Sequence, residues 1–75
     1  MSLNFELLDP QPNEVYIHKN GHHYKILNRA RNSNDCTQEL VVYEALEDSS
    51  DYKTGQIWVR SLVEFSTPGR FTKIE

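Results

Sequence analysis

The dipeptide Asn20-Gly21 constrains the fold of this chain more than any other feature, because alternating apolar and polar residues run on both sides of it. Asn-Gly favours a two-residue type I′ turn, in which both central residues need a positive φ. Such a turn pairs Lys19 with His22 and keeps the apolar residues of both strands on one face. The sequence therefore predicts a β-hairpin whose core face carries Val15, Ile17, Tyr24 and Ile26.

Two further segments have the two-residue period of β-strands. Residues 39–46 are rich in β-branched and aromatic side chains. A helix is the competing interpretation of this run, but its length and the turn residues beside it favour a strand. Residues 56–60 predict a second, shorter strand. The residues of these two strands that we expect to face the core are Leu40, Val42, Leu46, Ile57 and Val59.

The C-terminal part predicts one helical turn followed by a last strand. Leu62 and Phe65 are three residues apart, as on one face of a helical turn, and Pro68-Gly69 ends that turn. Phe71 then enters the core from the last strand. A meander of five short strands usually closes or half-closes into a barrel, because this protects its edges.

The predicted fold is therefore all-β, and the helical turn before the last strand suggests, by analogy, an SH3-like five-stranded antiparallel barrel. A chain of 75 residues has room for one small domain, which we place at residues 13–75. Residues 1–12 contain Pro10 and Pro12 and show no sustained alternation, so we expect an extended N-terminal arm.

Charge and cysteine content limit the partners. The formal net charge is −3, whereas residues 15–34 contain four Lys and Arg residues and no acid. Net negative charge disfavours general binding to nucleic acid, although segment 15–34 could form a basic stripe, so nucleic-acid binding stays as the alternative function. The single cysteine and the lack of a long apolar stretch predict a cytoplasmic protein that does not enter the membrane.

Metal binding and catalysis lack a convincing set of residues in this sequence. His18, His22 and His23 suggest two metal ligands at most, whereas a zinc site needs three or four. Cys36 follows Asp35, whose charge works against a reactive thiolate. No nucleophile elbow or glycine-rich phosphate loop is present in the sequence. We therefore expect no metal, no cofactor and no enzymatic activity, and an enzyme of unrecognised type ranks last.

One face of the predicted sheet combines aromatic residues with arginine. Trp58 and Arg60 share one parity of their strand, and Tyr43 lies opposite Val42. These residue types are enriched at binding hot spots. The competing interpretation is that Trp58 and Tyr43 form a second minor core beneath the arm. We expect a binding module for a peptide, protein or small polar ligand, with an outward face made of Trp58, Arg60, Tyr43, Arg31, Tyr16 and His18.

Several short motifs also occur in the order in which a known family has them. They are Tyr16-Ile17-His18 with Gly21 and Tyr24, Ala30-Arg31, Glu39-Leu40-Val41-Val42-Tyr43 with Ala45-Leu46, Trp58-Val59-Arg60 with Leu62 and Phe65, and Arg70-Phe71. From Tyr16 onward the sequence thereby resembles the bacterial family known as domain of unknown function 1653. The resemblance implies an SH3-like barrel and a free-standing cytoplasmic protein, and it implies no activity.

Overall fold

The protein forms one antiparallel β-sheet with a single short helix, in a computed structural model that describes residues 4–75. The first three residues of the predicted arm lie outside this description. The strands are β1 (Val15–His18), β2 (His23–Asn32), β3 (Asp35–Ala45), β4 (Ile57–Ser61) and β5 (Phe71–Lys73), and helix α1 (Leu62–Phe65) lies between β4 and β5. The all-β class, the five strands and the helical turn before the last strand are confirmed. None of the helices described is long and apolar enough to cross a bilayer.

The sheet is curled but not closed. Its strand order is β4-β3-β2-β1-β5, so β4 and β5 are its two edges. Curvature nevertheless brings Phe71 of β5 to Tyr43 of β3, with 5.7 Å between their ring centroids. A register irregularity between Ile26 and Asn28 makes Leu27 the extra residue of β2, and such a bulge increases the local twist. The predicted barrel is thus a half-closed sheet with a concave face.

The hydrophobic core lies on that concave face, beneath α1. Its α1 and β5 members, Leu62, Phe65 and Phe71, were expected in the core and are buried. Ser61 caps the N-terminus of α1, where its hydroxyl accepts from the Glu64 backbone N–H at 3.2 Å. The core residues contributed by the other strands are Tyr16, Tyr24, Ile26, Val41, Tyr43 and Ala45.

The first hairpin forms at Asn20-Gly21, but the predicted register is wrong by one residue. Tyr16 pairs with Tyr24, and the His18 N–H donates to the His22 carbonyl at 2.9 Å, so three residues form the loop. Gly21 has a φ of 92° whereas Asn20 has no positive φ, which matches a type I turn with a glycine bulge and not type I′. The shift buries Tyr16 and leaves Val15 and Ile17 half-buried, and it removes the predicted Lys19–His22 pair.

The same one-residue error affects β3 and β4. Leu40 and Val42 are only half-buried and Leu46 is exposed, whereas Val41 and Tyr43 are buried. Ile57 and Val59, expected inside, are 57% and 59% exposed on the convex face. Trp58 pairs with Tyr43 and Arg60 with Val41, so the aromatic and arginine residues predicted to face outward lie on the concave face instead.

The described part of the N-terminal segment packs against α1 and β2. The Leu8 N–H donates to the Ser66 hydroxyl at 2.9 Å, and Pro10 is fully buried. Arg29 of β2 contacts Asp9 with 2.9 Å between Nη1 and the carboxylate oxygen, and it also contacts Glu39. We call Asp9, Pro10, Arg29 and Glu39 the Arg29 cluster. It fixes the segment at one end of the concave face.

Candidate functional site

A pocket of about 150 Å³ opens at the other end of the concave face. Five rings form its walls, one from each of the five strands: His18, Tyr24, Tyr43, Trp58 and Phe71. Asn20 and Arg60 complete the lining with polar groups. We call this site the aromatic pocket. The register of the first hairpin puts His18 and Tyr24 on the concave face, and the turn residue Asn20 lines the pocket beside them.

The walls of the pocket hold one another in place through edge-to-face ring contacts. The His18 and Phe71 centroids are 4.8 Å apart, those of Tyr24 and Tyr43 5.4 Å, and those of Tyr43 and Phe71 5.7 Å. Contacts of this geometry are favourable beyond the area they bury. Trp58 differs from the other rings because 38% of its surface stays exposed. The pocket is therefore a preformed aromatic surface with one accessible tryptophan.

Tyr52 supports the pocket from the loop between β3 and β4. Its ring packs edge-on against Trp58 at 5.4 Å, and its hydroxyl lies 2.6 Å from that of Tyr24. Burial, and after it the hydrogen bond with Tyr52, together raise the pKa of Tyr24 to about 12. Both effects keep the Tyr24 hydroxyl protonated at neutral pH. The loop thus helps to orient two walls of the pocket.

Arg60 brings a positive charge to the pocket. Its Nε donates to the Tyr43 hydroxyl at 3.2 Å, and its guanidinium carbon lies 5.7 Å from the centroid of the Phe71 ring. No Asp or Glu within residues 4–75 forms an ion pair with Arg60. Its charge is therefore positioned by neutral aromatic groups and remains available to a ligand.

His18 is held neutral at the rim. Burial lowers its pKa, against a hydrogen bond with the Asn20 side chain that raises it, and the positive charges of Arg60, Lys19 and Arg70 lower it further. The Asn20 backbone N–H donates to His18 Nδ1 at 3.1 Å, which leaves the proton of the neutral ring on Nε2. His18 thus offers one N–H donor at pH 7.

Four of the six residues predicted for the site line this one pocket: His18, Tyr43, Trp58 and Arg60. Tyr16 does not, since it is buried against Phe65 at 5.2 Å between centroids. Arg31 lies far along β2, is exposed, and donates to the Cys36 carbonyl at 2.8 Å. The described part of the arm lies at the Arg29 cluster and leaves Trp58 uncovered.

Four contributors to the site were not predicted as site residues. Asn20 was expected only as a turn residue. Tyr24 and Phe71 were expected only as core residues, although a ring can be buried on one side and line a pocket on the other. The hydroxyl of Tyr24 was the available signal, because a buried tyrosine usually needs a polar partner. Tyr52 stands in a polar loop, and nothing in its sequence context indicates that it packs against Trp58.

The chemistry of the lining is that of recognition by hydrogen-bond donors and ring faces. No carboxylate, thiol or serine hydroxyl lines the aromatic pocket as described. Among residues 4–75 no group of three metal-ligating side chains occurs. His23 instead contacts the Glu47 carboxylate at 3.1 Å, away from His18. The exposed tryptophan, the arginine and the neutral histidine can together hold an apolar group that carries hydrogen-bond acceptors.

Comparison with known proteins identifies the family but adds no function. A search of curated proteins and a search of solved structures each gave no significant match. The family model described as "Protein of unknown function (DUF1653)" matches residues 14–72, which include every residue of the aromatic pocket. Because this match covers well over half of the 75 residues, the chain belongs to the DUF1653 family.

Proposed function

We propose that this protein is a non-catalytic binding module that takes up a short segment of a partner protein, with one side chain of that segment in the aromatic pocket. The observation that carries the proposal is Trp58, which stays 38% exposed although four other rings line the pocket with it. Trp, Tyr and Arg are the residue types most enriched at binding hot spots, and the pocket contains all three.

The size of the pocket favours a single side chain over a whole small molecule. Its volume of about 150 Å³ is that of a cavity that accommodates one benzene ring. Pockets that enclose complete small ligands are larger, at about 300–1,000 Å³. A peptide or protein segment can place one group in the pocket and gain further contacts outside it. A peptide or protein partner is therefore preferred over a small polar ligand.

Nucleic acid is the less favoured partner. Within the basic segment 15–34, Lys25 pairs with Glu44 at 3.3 Å, and Arg29 is neutralised by Asp9 and Glu39. The chain as a whole carries a net charge of −3, and phosphate binding depends on unneutralised cations. The reducing cytoplasm is the proposed location, in keeping with the single cysteine.

The proposal is tested by selecting ligands from a library of random linear peptides displayed on phage. A selected peptide is then synthesised, and its Kd is measured by calorimetry for the wild-type protein and for two variants. Trp58→Ala should weaken binding at least about tenfold, because it removes the exposed ring of the hot spot. Ile57→Ala is the matched control, since Ile57 is the neighbouring residue on the convex face and is 57% exposed.

The control variant should bind as the wild type does, and circular dichroism should show that both variants are folded. Failure to select any peptide, or equal losses in the two variants, would overturn the proposal. Tight binding of a single-stranded oligonucleotide that weakens steeply with salt would support the nucleic-acid alternative in its place.

A further inference from the structure

The basic side chains of this protein divide into two groups. Four of the eight Lys and Arg residues form ion pairs with Asp or Glu: Lys25, Arg29, Lys53 and Lys73. In the part of the chain that the structure describes, the other four, Lys19, Arg31, Arg60 and Arg70, have no such partner. The positions of these four residues show where positive charge is left without a carboxylate partner.

Three of those four cations act on the aromatic pocket or on one of its rings. Arg60 lines the pocket, whereas the charges of Lys19 and Arg70 reach His18 closely enough to lower its pKa. Lys19 and Arg70 are neighbours, since the Lys19 N–H donates to the Arg70 carbonyl at 2.9 Å, and the Arg70 guanidinium itself donates to the Glu64 carbonyl at 3.4 Å. The described lining contains no acid. Arg60 is thus the cation that the pocket itself presents without a compensating carboxylate.

The free hydrogen-bonding groups of the pocket are donors, which also favours a negatively charged ligand. The indole N–H of Trp58 and the terminal nitrogens of Arg60 have no acceptor within residues 4–75. Arg60 uses only its Nε, toward Tyr43, so the end of its guanidinium fork is unoccupied. A ligand that supplies acceptors can satisfy these donors, whereas a cationic or donor-rich ligand cannot.

We infer that the aromatic pocket recognises a carboxylate carried beside an aromatic or large apolar group, so that the partner segment is an acidic peptide. This inference rests on the proposed function and specifies its ligand. A planar carboxylate matches the end of one guanidinium, and the five rings accommodate the apolar neighbour. A single arginine lines this pocket, so one planar carboxylate suffices to compensate its charge, and a phosphate probe tests the alternative anion.

The test uses N-acetylphenylalanine and N-acetylphenylalanine amide, which differ only in the charged group, and phenyl phosphate as an aromatic probe that carries a phosphate. Trp58 is the only tryptophan of the chain, so its indole N–H resonance and its fluorescence both report on this pocket alone. We expect the carboxylate to shift the indole resonance with a Kd of about 1–10 mM, as suits a fragment of this size. The amide should bind about tenfold more weakly, because it lacks the charge that Arg60 contacts.

Two variants locate the effect. Arg60→Gln should remove the preference for carboxylate over amide, while Arg31→Gln, which deletes the unpaired arginine farthest from the pocket, should retain it. Equal binding of the amide by the wild-type protein, tighter binding of phenyl phosphate, or no saturable shift would each overturn the inference. If peptides selected from the library bind through Trp58 without any dependence on their acidic residues, the proposed function stands and this inference fails.

Discussion

Each end of the concave face contains one arginine, and the two arginines differ in the groups that they contact. Arg29 of β2 and Arg60 of β4 both pair with Val41 of β3, one on either side. Arg29 reaches two carboxylates, Asp9 and Glu39, as well as the Pro10 carbonyl at 3.5 Å. Arg60 reaches the Tyr43 hydroxyl and the Phe71 ring and has no carboxylate partner within the described residues.

This difference separates a structural arginine from one that is available to a ligand. At the Arg29 cluster the charge is compensated, and the N-terminal segment covers the site. At the aromatic pocket the guanidinium is fixed by neutral groups, which orient it without cancelling its charge. Burial and residue type do not distinguish the two, since both arginines are half-buried. The two arginines are distinguished by their hydrogen-bonding partners, which are carboxylates for Arg29 and neutral groups for Arg60.

The largest expected effect is at Phe65, which connects the two ends. Its ring stacks on Phe71 of the pocket at 4.2 Å and meets Tyr16 edge-on at 5.2 Å. Phe65→Ala should lower the free energy of unfolding by about 3–5 kcal/mol through lost burial and a cavity. Urea denaturation measures this, with Val63→Ala as the control on the same helix, 43% exposed. A small loss at Phe65 would mean that the two ends do not share a core.

The second effect compares the arginines directly. Arg29→Met should cost about 1–2 kcal/mol of stability, because it removes two ion pairs of a half-buried arginine, although solvent screens the largely exposed Asp9 carboxylate. Arg60→Met should cost about 0.5 kcal/mol, since the loss is one hydrogen bond to a neutral hydroxyl and a ring contact. Urea midpoints of the two variants check this. Equal losses would show that Arg60 is as structural as Arg29.

The third effect concerns the turn that supplies Asn20 to the pocket. Gly21 has a φ of 92° and open space where a Cβ would lie, so backbone strain alone opposes a side chain there. Gly21→Val should cost about 1 kcal/mol, and Gly21→Asn less, because asparagine tolerates this conformation. Thermal unfolding of both variants provides the measurement. If valine and asparagine cost the same, the turn has relaxed and positive φ is not needed.

The smallest effect is on pH dependence. Folding lowers the pKa of His18 below its ordinary value of 6.5, mainly through burial, so the unfolded chain binds the proton more readily. Stability should therefore decline as pH falls from about 6.5 through the lower pKa of the folded protein. Comparing unfolding curves of wild type and His18→Gln isolates this contribution. A His18 NMR titration with a midpoint above 6.5 would contradict it.

The sequence was sufficient to predict the strands, the position of the first turn and the grouping of Tyr43, Trp58 and Arg60 on one face. It was not sufficient to say which face. Either face of β4 could pack against the core. One face carries Ile57 and Val59 and the other Trp58 and Arg60, and tryptophan and arginine also have apolar parts that pack well. Parity then depends on the turn geometry, and one additional loop residue reverses it.

The pocket itself could be predicted only in part, for a related reason. Its residues come from all five strands and a turn, and their meeting depends on how strongly the sheet curls. The bulge at Leu27 contributes to that curvature and has no distinctive sequence pattern. Arg31 was placed in the site because it shares strand parity with the others, but parity does not limit distance along a strand.

The position of β5 at the edge of the sheet has a consequence for the order in which the molecule assembles. β2 and β3 are adjacent in the chain and can pair early, whereas β5 pairs with β1 across most of the sequence, as Lys73 does with Tyr16. A three-residue edge strand also has few hydrogen bonds with which to resist local opening. We therefore expect Phe71 to be the last lining residue to reach its place during folding and the first to move away when the structure opens locally. Amide protons of β5 should exchange with solvent earlier than those of β3, and a bound ligand should slow their exchange.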